Sequence, residues 1–518
     1  MIHSIRRQLL AGALLSLLSP LGGNDVISVG GGPEASAQTR TTSGRTRAAA
    51  RQAPAENRSP SWTTTRSATD LTAALGRTLD GSVRSGSWGV MVVSITRGDT
   101  LFGRNAAVMM QPASTMKMYT AAVAFDRLGA DHTFKTSVTH DGTVNGELLE
   151  GNLFLRGEGD PSLSPRYFPD ERPMDRLARQ VAARGIRRVT GNVVADASAF
   201  EDRLVPEGWQ QRYLGAAYAA RVSALSLNNN LVWVVVQPVG GQASVTLEPA
   251  STTTPVVSNV RMVAGSGGRI TAVRQSDGSI RVNGSVGRSA PAQRYSLVVD
   301  DPPRFTGGAL KAALQGAGVA VGGDVVLGTA PRDADALATV ESPPLWQIVN
   351  AMNRESINIF AELLFRNAGR GQGQDQEGSA ATALASLRDF MAEKAGTNPE
   401  EVFAADGSGL SVLNMLTARS MVQLLAYSHR APWGPSFHAS LPVAGVSETL
   451  RTRMRGAPAA GNLHAKTGTT NTVVSLGGYV TAKNGEVLAF AFMYNGADRW
   501  NARATMDAMG STLAEFSR

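Results

Sequence analysis

Lysine is rare in this chain, which holds six lysines and 44 arginines. Arginine keeps its proton under physiological conditions, whereas a lysine can act as a base once its pKa is lowered. Only one lysine has a serine three residues before it, in Pro112-Ala113-Ser114-Thr115-Met116-Lys117, and only one opens a Lys-Thr-Gly run, Lys466-Thr467-Gly468. These two patterns are the first candidates for a catalytic serine with a lysine base.

The spacing of Ser114 and Lys117 predicts direct contact. Side chains three residues apart share one face of a helix, so Lys117 Nζ can reach Ser114 Oγ and act as its general base. That role requires a neutral lysine. Burial and a second cation both lower a lysine pKa, and Lys466 would be that cation if the fold brings the two patterns together. Because Ser-x-x-Lys alone is common by chance, the interpretation needs further elements.

A Ser-x-Asn element occurs twice, as Ser226-Leu227-Asn228 and as Ser356-Ile357-Asn358. The first precedes two more asparagines and a strand in a β-rich region, which favours a hydrogen-bonded turn. The second lies in a helical region between the Ser-x-x-Lys and Lys-Thr-Gly patterns. We therefore assign a structural role to the first and a place in the site to the second.

In this order, Pro112 to Lys117, Ser356 to Asn358 and Lys466 to Gly468 resemble the three motifs of penicillin-binding proteins and serine β-lactamases. From about Ala68 to the C-terminus, the chain more narrowly resembles the class C low-molecular-mass penicillin-binding proteins, a group of D-alanyl-D-alanine carboxypeptidases and endopeptidases. Four further segments carry this narrower resemblance: Gly159-Asp160-Pro161-Ser162, Ala224-Leu225-Ser226-Leu227-Asn228, Asp406-Gly407-Ser408-Gly409-Leu410-Ser411 and Leu441-Pro442-Val443-Ala444-Gly445.

The resemblance implies a serine peptidase that acts on peptidoglycan stem peptides and cross-links and is acylated by β-lactams, without a cofactor or metal. Ser114 would be the nucleophile and Lys117 its base, Ser356 would relay a proton to the departing amine, and Asn358 would hold Lys117 and the substrate amide. The remaining implied contacts are the oxyanion at the backbone N–H groups of Ser114 and Thr469, and the terminal carboxylate at the Lys466-Thr467-Gly468-Thr469 run.

The chain departs from that family's usual pattern in two places. Where Asp-Gly-Thr-Leu often follows the Leu-Pro-Val-Ala-Gly run, this chain has Ser447-Glu448-Thr449-Leu450, and Thr470 replaces a common leucine. Neither change touches a group with an implied catalytic role, so they bear on substrate preference alone.

The elements that must position these residues follow from hydrophobic periodicity. Apolar spacing predicts a helix from Ser114 to Leu128, with the serine at its start. Short strands separated by Gly and Ser, including Val189 to Ala195, dominate from about residue 132 to residue 341. Helices return after Pro343, the first of them spanning Ala351 to Arg366. Two strands then pair across a turn that contains Asn484-Gly485.

The length predicts more than one domain. The fold class predicted is a multidomain α/β and α+β protein, with a transpeptidase/β-lactamase-like domain (an antiparallel sheet flanked by helices) and two inserted β-rich α+β domains. The architecture of the family would give a catalytic domain of residues 67–132 and 339–518, inserted domain II of residues 133–160 and 252–338, and inserted domain III of residues 161–251.

The N-terminal residues predict export. Arg6 and Arg7 precede an apolar run that ends at Leu18, and Ala35-Ser36-Ala37 offers a cleavage site, a signal peptide pattern. We therefore expect a periplasmic or envelope-associated protein with no stable membrane span after cleavage. Residues 38–66 should be a disordered linker. They carry +5 of the formal net charge of +8, and the nearly balanced body gives no reason to expect a nucleic-acid partner.

Two other classes of function stay open. A β-lactamase would use the same nucleophile, but no convincing Glu-x-x-Leu-Asn element for deacylation is present, and the large insertion is foreign to compact β-lactamases. A non-catalytic envelope-binding protein could keep the fold, although it would have no need of Lys117. The six histidines form no His-x-x-x-His pair, which argues against metal catalysis.

Overall fold

The computed structural model describes residues 61–83, 85–370 and 376–518. The predicted signal peptide, residues 1–37, lies outside the described residues, as does the predicted linker up to residue 60. In the described part of the chain, no helix is both long and apolar enough to cross a membrane.

The last residues of the predicted linker are ordered, which corrects that prediction for residues 61–66. The Thr63 N–H donates to Thr512 Oγ1 at 3.1 Å, and the Ser517 N–H donates to the Thr65 carbonyl at 3.0 Å. Thr65 is buried. Composition did not reveal this because the segment is held by backbone pairing with the distant C-terminus.

The described elements are numbered in chain order. The helices are α1 (Ala68–Ser82), α2 (Met116–Leu128), α3 (Pro173–Ala183), α4 (Pro302–Gly316), α5 (Leu345–Glu355), α6 (Asn358–Ala368), α7 (Ala380–Glu393), α8 (Ala418–Arg430), α9 (Gly434–Ala439) and α10 (Arg499–Ala514). The strands are β1 (Ser87–Ser94), β2 (Thr100–Arg104), β3 (Lys135–His140), β4 (Thr143–Asn145), β5 (Leu148–Glu150), β6 (Leu153–Gly157), β7 (Arg188–Val189), β8 (Val193–Asp196), β9 (Leu231–Val239), β10 (Gln242–Glu248), β11 (Val256–Val263), β12 (Gly268–Arg274), β13 (Ile280–Gly287), β14 (Gln293–Val298), β15 (Ala320–Val321), β16 (Val325–Leu327), β17 (Ala338–Glu341), β18 (Val402–Phe403), β19 (Met415–Leu416), β20 (His464–Thr469), β21 (Val473–Thr481) and β22 (Val487–Asn495).

Two predicted elements are divided in the structure. The helix predicted from Ala351 to Arg366 is two helices, α5 and α6, separated at Ser356, whose φ of 61° lies in the left-handed region. The strand predicted from Val189 to Ala195 is two short strands, β7 and β8. Periodicity did not detect either break because apolar residues continue on both sides.

The first and last parts of the folded chain share one antiparallel sheet in the order β2-β1-β22-β21-β20. Helices cover both of its faces. Along β22, Ala489 and Ala491 face the core that contains α2, α6 and α8, whereas Phe490 and Phe492 face the core that contains α1 and α10. This alternation is the period of two expected of a strand, with apolar residues on both faces because both are buried.

The chain between the two parts of this sheet forms the inserted region. A five-stranded sheet in the order β16-β8-β6-β3-β17 packs against α3 and α4, and a four-stranded sheet in the order β15-β7-β5-β4 lies in the same region. Two three-stranded sheets, β10-β9-β14 and β11-β13-β12, complete the inserted region. The predicted classes, a helix-flanked antiparallel sheet and inserted β-rich segments, are both confirmed.

The pairing of strands differs from the predicted boundaries of the inserted domains. β8, predicted in domain III, lies between β6 and β16 of predicted domain II, because its backbone groups pair with both. Strands β11 and β13, predicted in domain II, contact β10 and β9, respectively, of predicted domain III. The boundary at residue 339 falls inside β17, which pairs with β3. The chain therefore changes sheets near residues 197–230 and 299–301 instead of at residues 160 and 252.

Candidate active site

Ser114 lies in a short 3₁₀ turn, Ala113–Thr115, which leads into α2. Ala113 has a φ of 48°, a left-handed conformation that costs free energy for a residue with a Cβ and persists only where the surroundings impose it. Two glycines, Gly409 and Gly468, allow the neighbouring backbone to approach this turn closely. A Cβ on Gly468 would lie 3.0 Å from the Ser114 nitrogen, and one on Gly409 would collide with the Ala113 carbonyl oxygen. The turn is thus held between β20 and the loop that follows β18.

Lys117 occupies the next turn of the helix and is completely buried. Its Nζ lies 2.6 Å from Asn358 Oδ1, 2.7 Å from the Ser408 carbonyl oxygen and 3.2 Å from Ser114 Oγ. A neutral amine has two N–H groups and one lone pair. The amide and carbonyl oxygens can accept the two N–H groups, which leaves the lone pair for the serine hydroxyl.

Burial lowers the pKa of Lys117 to about 7, and the charges of Asp406 and Glu362 oppose this shift. A pKa of about 7 makes the neutral form of Lys117 accessible at physiological pH, as a general base requires. Of the two causes predicted from the sequence, burial and a second cation, burial lowers the pKa of Lys117, and Lys466 is not among the groups that shift it.

Ser356, in its left-handed conformation, separates α5 from α6, and both Ser356 and Asn358 lie close to the two buried lysines. Ser356 Oγ lies 3.0 Å from Lys466 Nζ, and Asn358 begins α6 with its amide oxygen on Lys117. The Asn358 Nδ2 donates to the Tyr218 carbonyl oxygen at 2.8 Å. Tyr218 belongs to the inserted region, so that region helps to orient Asn358.

Lys466 lies on β20 and is also completely buried. Its Nζ contacts Ser356 Oγ and the Thr467 carbonyl oxygen, each at 3.0 Å. Burial first, and then the nearby Lys117, hold the pKa of Lys466 well below its ordinary value. The fold thus brings together the Ser-x-x-Lys and Lys-Thr-Gly patterns, whose lysines lie 349 positions apart in the sequence.

A polar cleft opens over these groups. Ser114, Ser356, Thr467 and Thr469 line it, and Gly468 lies buried between the two threonines. The cleft is lined further by residues that no sequence pattern indicated: Thr449, Thr452, Arg453 and Arg503. Thr449 keeps the threonine of the usual Asp-Gly-Thr-Leu pattern, and the two residues that depart from it, Ser447 and Glu448, are not among the residues that line the cleft.

Two buried carboxylates behind the lysine were also missed by sequence reasoning. Asp406 accepts hydrogen bonds from the N–H groups of Gly409 and Ser411, at 2.7 and 2.6 Å, and from Trp209 Nε1 at 2.7 Å. Glu362 accepts from the Ser408 N–H at 2.9 Å. Together they fix the loop whose Ser408 carbonyl accepts from Lys117.

Glu362 had a signal in the sequence. It is the single charge in the run Ile359 to Phe365 of α6, and it is fully buried. Arg366 pairs with it at 3.0 Å, although burial and the charge of Asp406 raise the pKa of Glu362 to about 7. A charge inside an apolar helical run is seldom buried without such a partner.

The other Ser-x-Asn segment forms a turn in the inserted region. Ser226 Oγ donates to the Ser223 carbonyl at 2.7 Å and accepts from Asn230 Nδ2 at 2.9 Å, while Asn228 Nδ2 donates to the Leu231 carbonyl. Its polar groups serve the local backbone, in agreement with the structural role predicted for it.

Known proteins resemble this chain over most of its length. The profile of the D-Ala-D-Ala carboxypeptidase 3 (S13) family matches residues 71–516. The chain is 35% identical over 457 residues to the D-alanyl-D-alanine carboxypeptidase of Actinomadura sp., a match that covers 85% of this chain and 82% of that protein. It is 30% identical over 456 residues to carboxypeptidase DacB of Mycolicibacterium smegmatis, with 85% and 83% of the two chains covered.

The fold is shared with a solved structure, that of penicillin binding protein 4 (dacB) from Haemophilus influenzae. The TM-score is 0.70 at 23% sequence identity, and the match covers 85% of this chain and 98% of that one. The same protein complexed with a novel β-lactam gives a TM-score of 0.67. This likeness shows that the two chains share a fold over most of their length.

Proposed function

The chain belongs to the D-Ala-D-Ala carboxypeptidase 3 (S13) family, and from that premise we propose that Ser114 is the nucleophile with which it cleaves the D-alanyl-D-alanine bond of peptidoglycan stem peptides. One observation carries the assignment. Lys117 Nζ is buried, has two oxygen acceptors for its N–H groups and faces Ser114 Oγ at 3.2 Å. No other serine among the proposed site residues has a potential base so arranged.

In the acylation step, Ser114 Oγ attacks the carbonyl carbon of the penultimate D-alanine and its proton passes to Lys117 Nζ. The backbone N–H groups of Ser114 and Thr469 stabilise the oxyanion that forms. The C–N bond then breaks, and the proton returns to the departing nitrogen with the Ser356 hydroxyl as relay. The products are an acyl-Ser114 ester and free D-alanine.

In the deacylation step, water attacks the ester carbonyl and gives its proton to Lys117. The C–Oγ bond breaks, and Ser114 Oγ recovers a proton from Lys117, so that the shortened peptide leaves with a new carboxylate. Lys117 is neutral again at the end of the cycle.

The terminal carboxylate of the substrate would bind Thr467, Thr469 and Lys466. A carboxylate beside Lys466 favours the protonated form of that lysine and opposes the lowering of its pKa by burial. Substrate binding would in this way supply the charge that completes the carboxylate contact.

The same steps cut a cross-link when the departing nitrogen belongs to a neighbouring stem peptide. A β-lactam has a strained amide in place of the scissile bond and would acylate Ser114. Because peptidoglycan lies outside the cytoplasm, the predicted signal peptide fits a periplasmic or envelope-associated enzyme.

The test is incubation of the mature protein with penicillin, followed by intact mass measurement and peptide mapping. We expect one adduct, on Ser114, that is lost slowly, and no adduct on the Ser114→Ala variant. An adduct that survives this substitution would contradict the assignment. Rapid turnover to free penicilloate would favour a β-lactamase, and no adduct at all would favour a non-catalytic binding protein.

A further inference from the structure

The cleft carries two arginines that the catalytic steps leave unused. Arg453 lies in the loop before β20, and Arg503 lies on α10. Both line the cleft together with Ser114, Thr467 and Thr469. Each therefore reaches the space that a bound peptide would fill.

The two arginines differ in how their charge is balanced. Arg453 is paired with Asp507 at 2.6 Å, and its side chain is 10% exposed. Arg503 forms no ion pair with any residue that the structure describes; its guanidinium lies over the Trp500 ring, 5.2 Å from the centroid. Burial lowers the pKa of Arg503 most and the charge of Arg453 lowers it further, whereas the charge of Asp507 opposes the shift, so a second positive charge lies near this guanidinium.

A third arginine adds to this environment. Arg499 donates to the Thr470 carbonyl at 2.9 Å and also disfavours the charge of Arg503. Arg453 and Arg499 thus oppose the charge of Arg503, whereas Asp507, which pairs with Arg453, favours it. An anion bound at Arg503 would relieve the mutual repulsion, and a guanidinium binds a carboxylate through two parallel N–H groups.

We propose that Arg503, with Arg453 beside it, forms a subsite for a second carboxylate, carried by the leaving stem peptide of a peptidoglycan cross-link. The inference rests on the proposed function. In that function, Thr467, Thr469 and Lys466 bind the carboxylate next to the scissile bond. A departing D-alanine has only that carboxylate, whereas a departing stem peptide has others farther from the bond. An arginine that lines this cleft and forms no ion pair with a described residue therefore favours the larger leaving group.

The test compares two substrates: a free stem pentapeptide and a cross-linked dimer of stem peptides. For the wild type and Arg503→Gln, kcat/KM is measured on each, and the ratio of dimer to pentapeptide is calculated. We expect Arg503→Gln to lower this ratio about tenfold, the usual effect of losing one charge-assisted hydrogen-bonded pair. Arg503→Lys, which keeps the charge but loses the bidentate geometry, should give a ratio in between.

Arg451→Gln is the matched control. Arg451 is exposed in the same loop as Arg453 and is absent from the lining of the cleft, so its removal changes the net charge equally. The ratio should stay at the wild-type value. A second arm uses a dimer in which the carboxylate next to the scissile bond is kept and the leaving-stem carboxylates farther from that bond are amidated. The wild-type ratio should fall about tenfold on that substrate, and the ratio for Arg503→Gln should not fall further.

An equal loss on both substrates would mean that Arg503 binds the carboxylate next to the scissile bond, and would overturn the inference. An unchanged ratio would overturn it as well. These results are distinct from failure of the proposed function, in which the wild type neither releases D-alanine from the pentapeptide nor forms a penicillin adduct. If Arg503→Gln does not fold, as judged by thermal unfolding, the comparison of Arg503→Lys with the wild type and the amidated dimer still decides the matter.

Discussion

The chain contains two Ser-x-Asn segments of nearly identical sequence, and they lie in very different surroundings. In the inserted region, the side chains of Ser226 and Asn228 bond to neighbouring backbone and to another asparagine. In the catalytic region, Ser356 Oγ contacts Lys466 and Asn358 Oδ1 contacts Lys117. The tripeptide is therefore a source of polar groups, and its surroundings decide what those groups do.

The two segments differ in their surroundings because one lies in a turn before a strand and the other lies between two helices. The first precedes a strand, where short polar side chains satisfy the turn that they form. The second interrupts a helical hairpin at a left-handed serine, which leaves its hydroxyl and amide free to face two buried lysines. The Ser-x-Asn pattern alone does not distinguish the two segments. Only the second one contacts buried lysines, Lys117 and Lys466.

The largest expected effect comes from removing Lys117, the lysine that contacts Asn358 of the second Ser-x-Asn segment. Lys117→Met keeps the length of the side chain but cannot accept a proton. We expect the rate of acylation by penicillin to fall by about 10³- to 10⁴-fold, because base catalysis and the hydrogen bond to Asn358 are lost together. Stopped-flow measurement of adduct formation checks this value.

Lys311→Met is the matched control for that prediction. Lys311 lies in α4 of the inserted region, and its Nζ donates to the Gly323 carbonyl at 2.6 Å. Its acylation rate should equal that of the wild type. A comparable loss in both variants would mean that the catalytic region has no special dependence on its lysine.

The pH dependence of the acylation rate tests the role of Lys117 without any substitution. Since the pKa of Lys117 is about 7, the neutral base dominates above pH 7 and is protonated below it. The acylation rate should rise with pH and level off above pH 7, and at pH 5 it should be about 100-fold below the plateau. A rate that is constant between pH 5 and pH 8 would contradict a lysine base.

The smallest effects come from substituting the two asparagines. Asn358→Ala should slow acylation by roughly 10- to 100-fold, because Lys117 loses one acceptor and rotates more freely. Asn228→Ala should keep the acylation rate and lower the free energy of unfolding by about 1 kcal/mol, the usual cost of one hydrogen bond. Kinetics of adduct formation and chemical denaturation of both variants measure the two effects. If Asn228→Ala slowed acylation as much as Asn358→Ala, the separate roles of the segments would be refuted.

Local patterns predicted the contact between Ser114 and Lys117 and the choice between the two Ser-x-Asn segments. The first follows from helical spacing and the second from the helical or β-rich character of the flanks. Both kinds of information lie within a few residues of each motif.

Features that depend on distant residues were not predicted. The left-handed conformation of Ser356 divides a helix that periodicity joins, and the roles of Asp406 and Glu362 depend on a loop that folds back onto α2 and α6. The boundaries within the inserted region failed for the same reason, since β8 pairs with strands far away in sequence. Arg503 had no sequence signal, because a helix at the C-terminus is brought to the cleft only by the sheet.

The most direct test of the account is the release of D-alanine from a stem pentapeptide by the wild type and by Ser114→Ala, at a pH above 7. We expect many turnovers by the wild type and no release above the uncatalysed rate by the variant, with both proteins equally folded. Release by Ser114→Ala at the wild-type rate would contradict the assignment of Ser114 as the nucleophile.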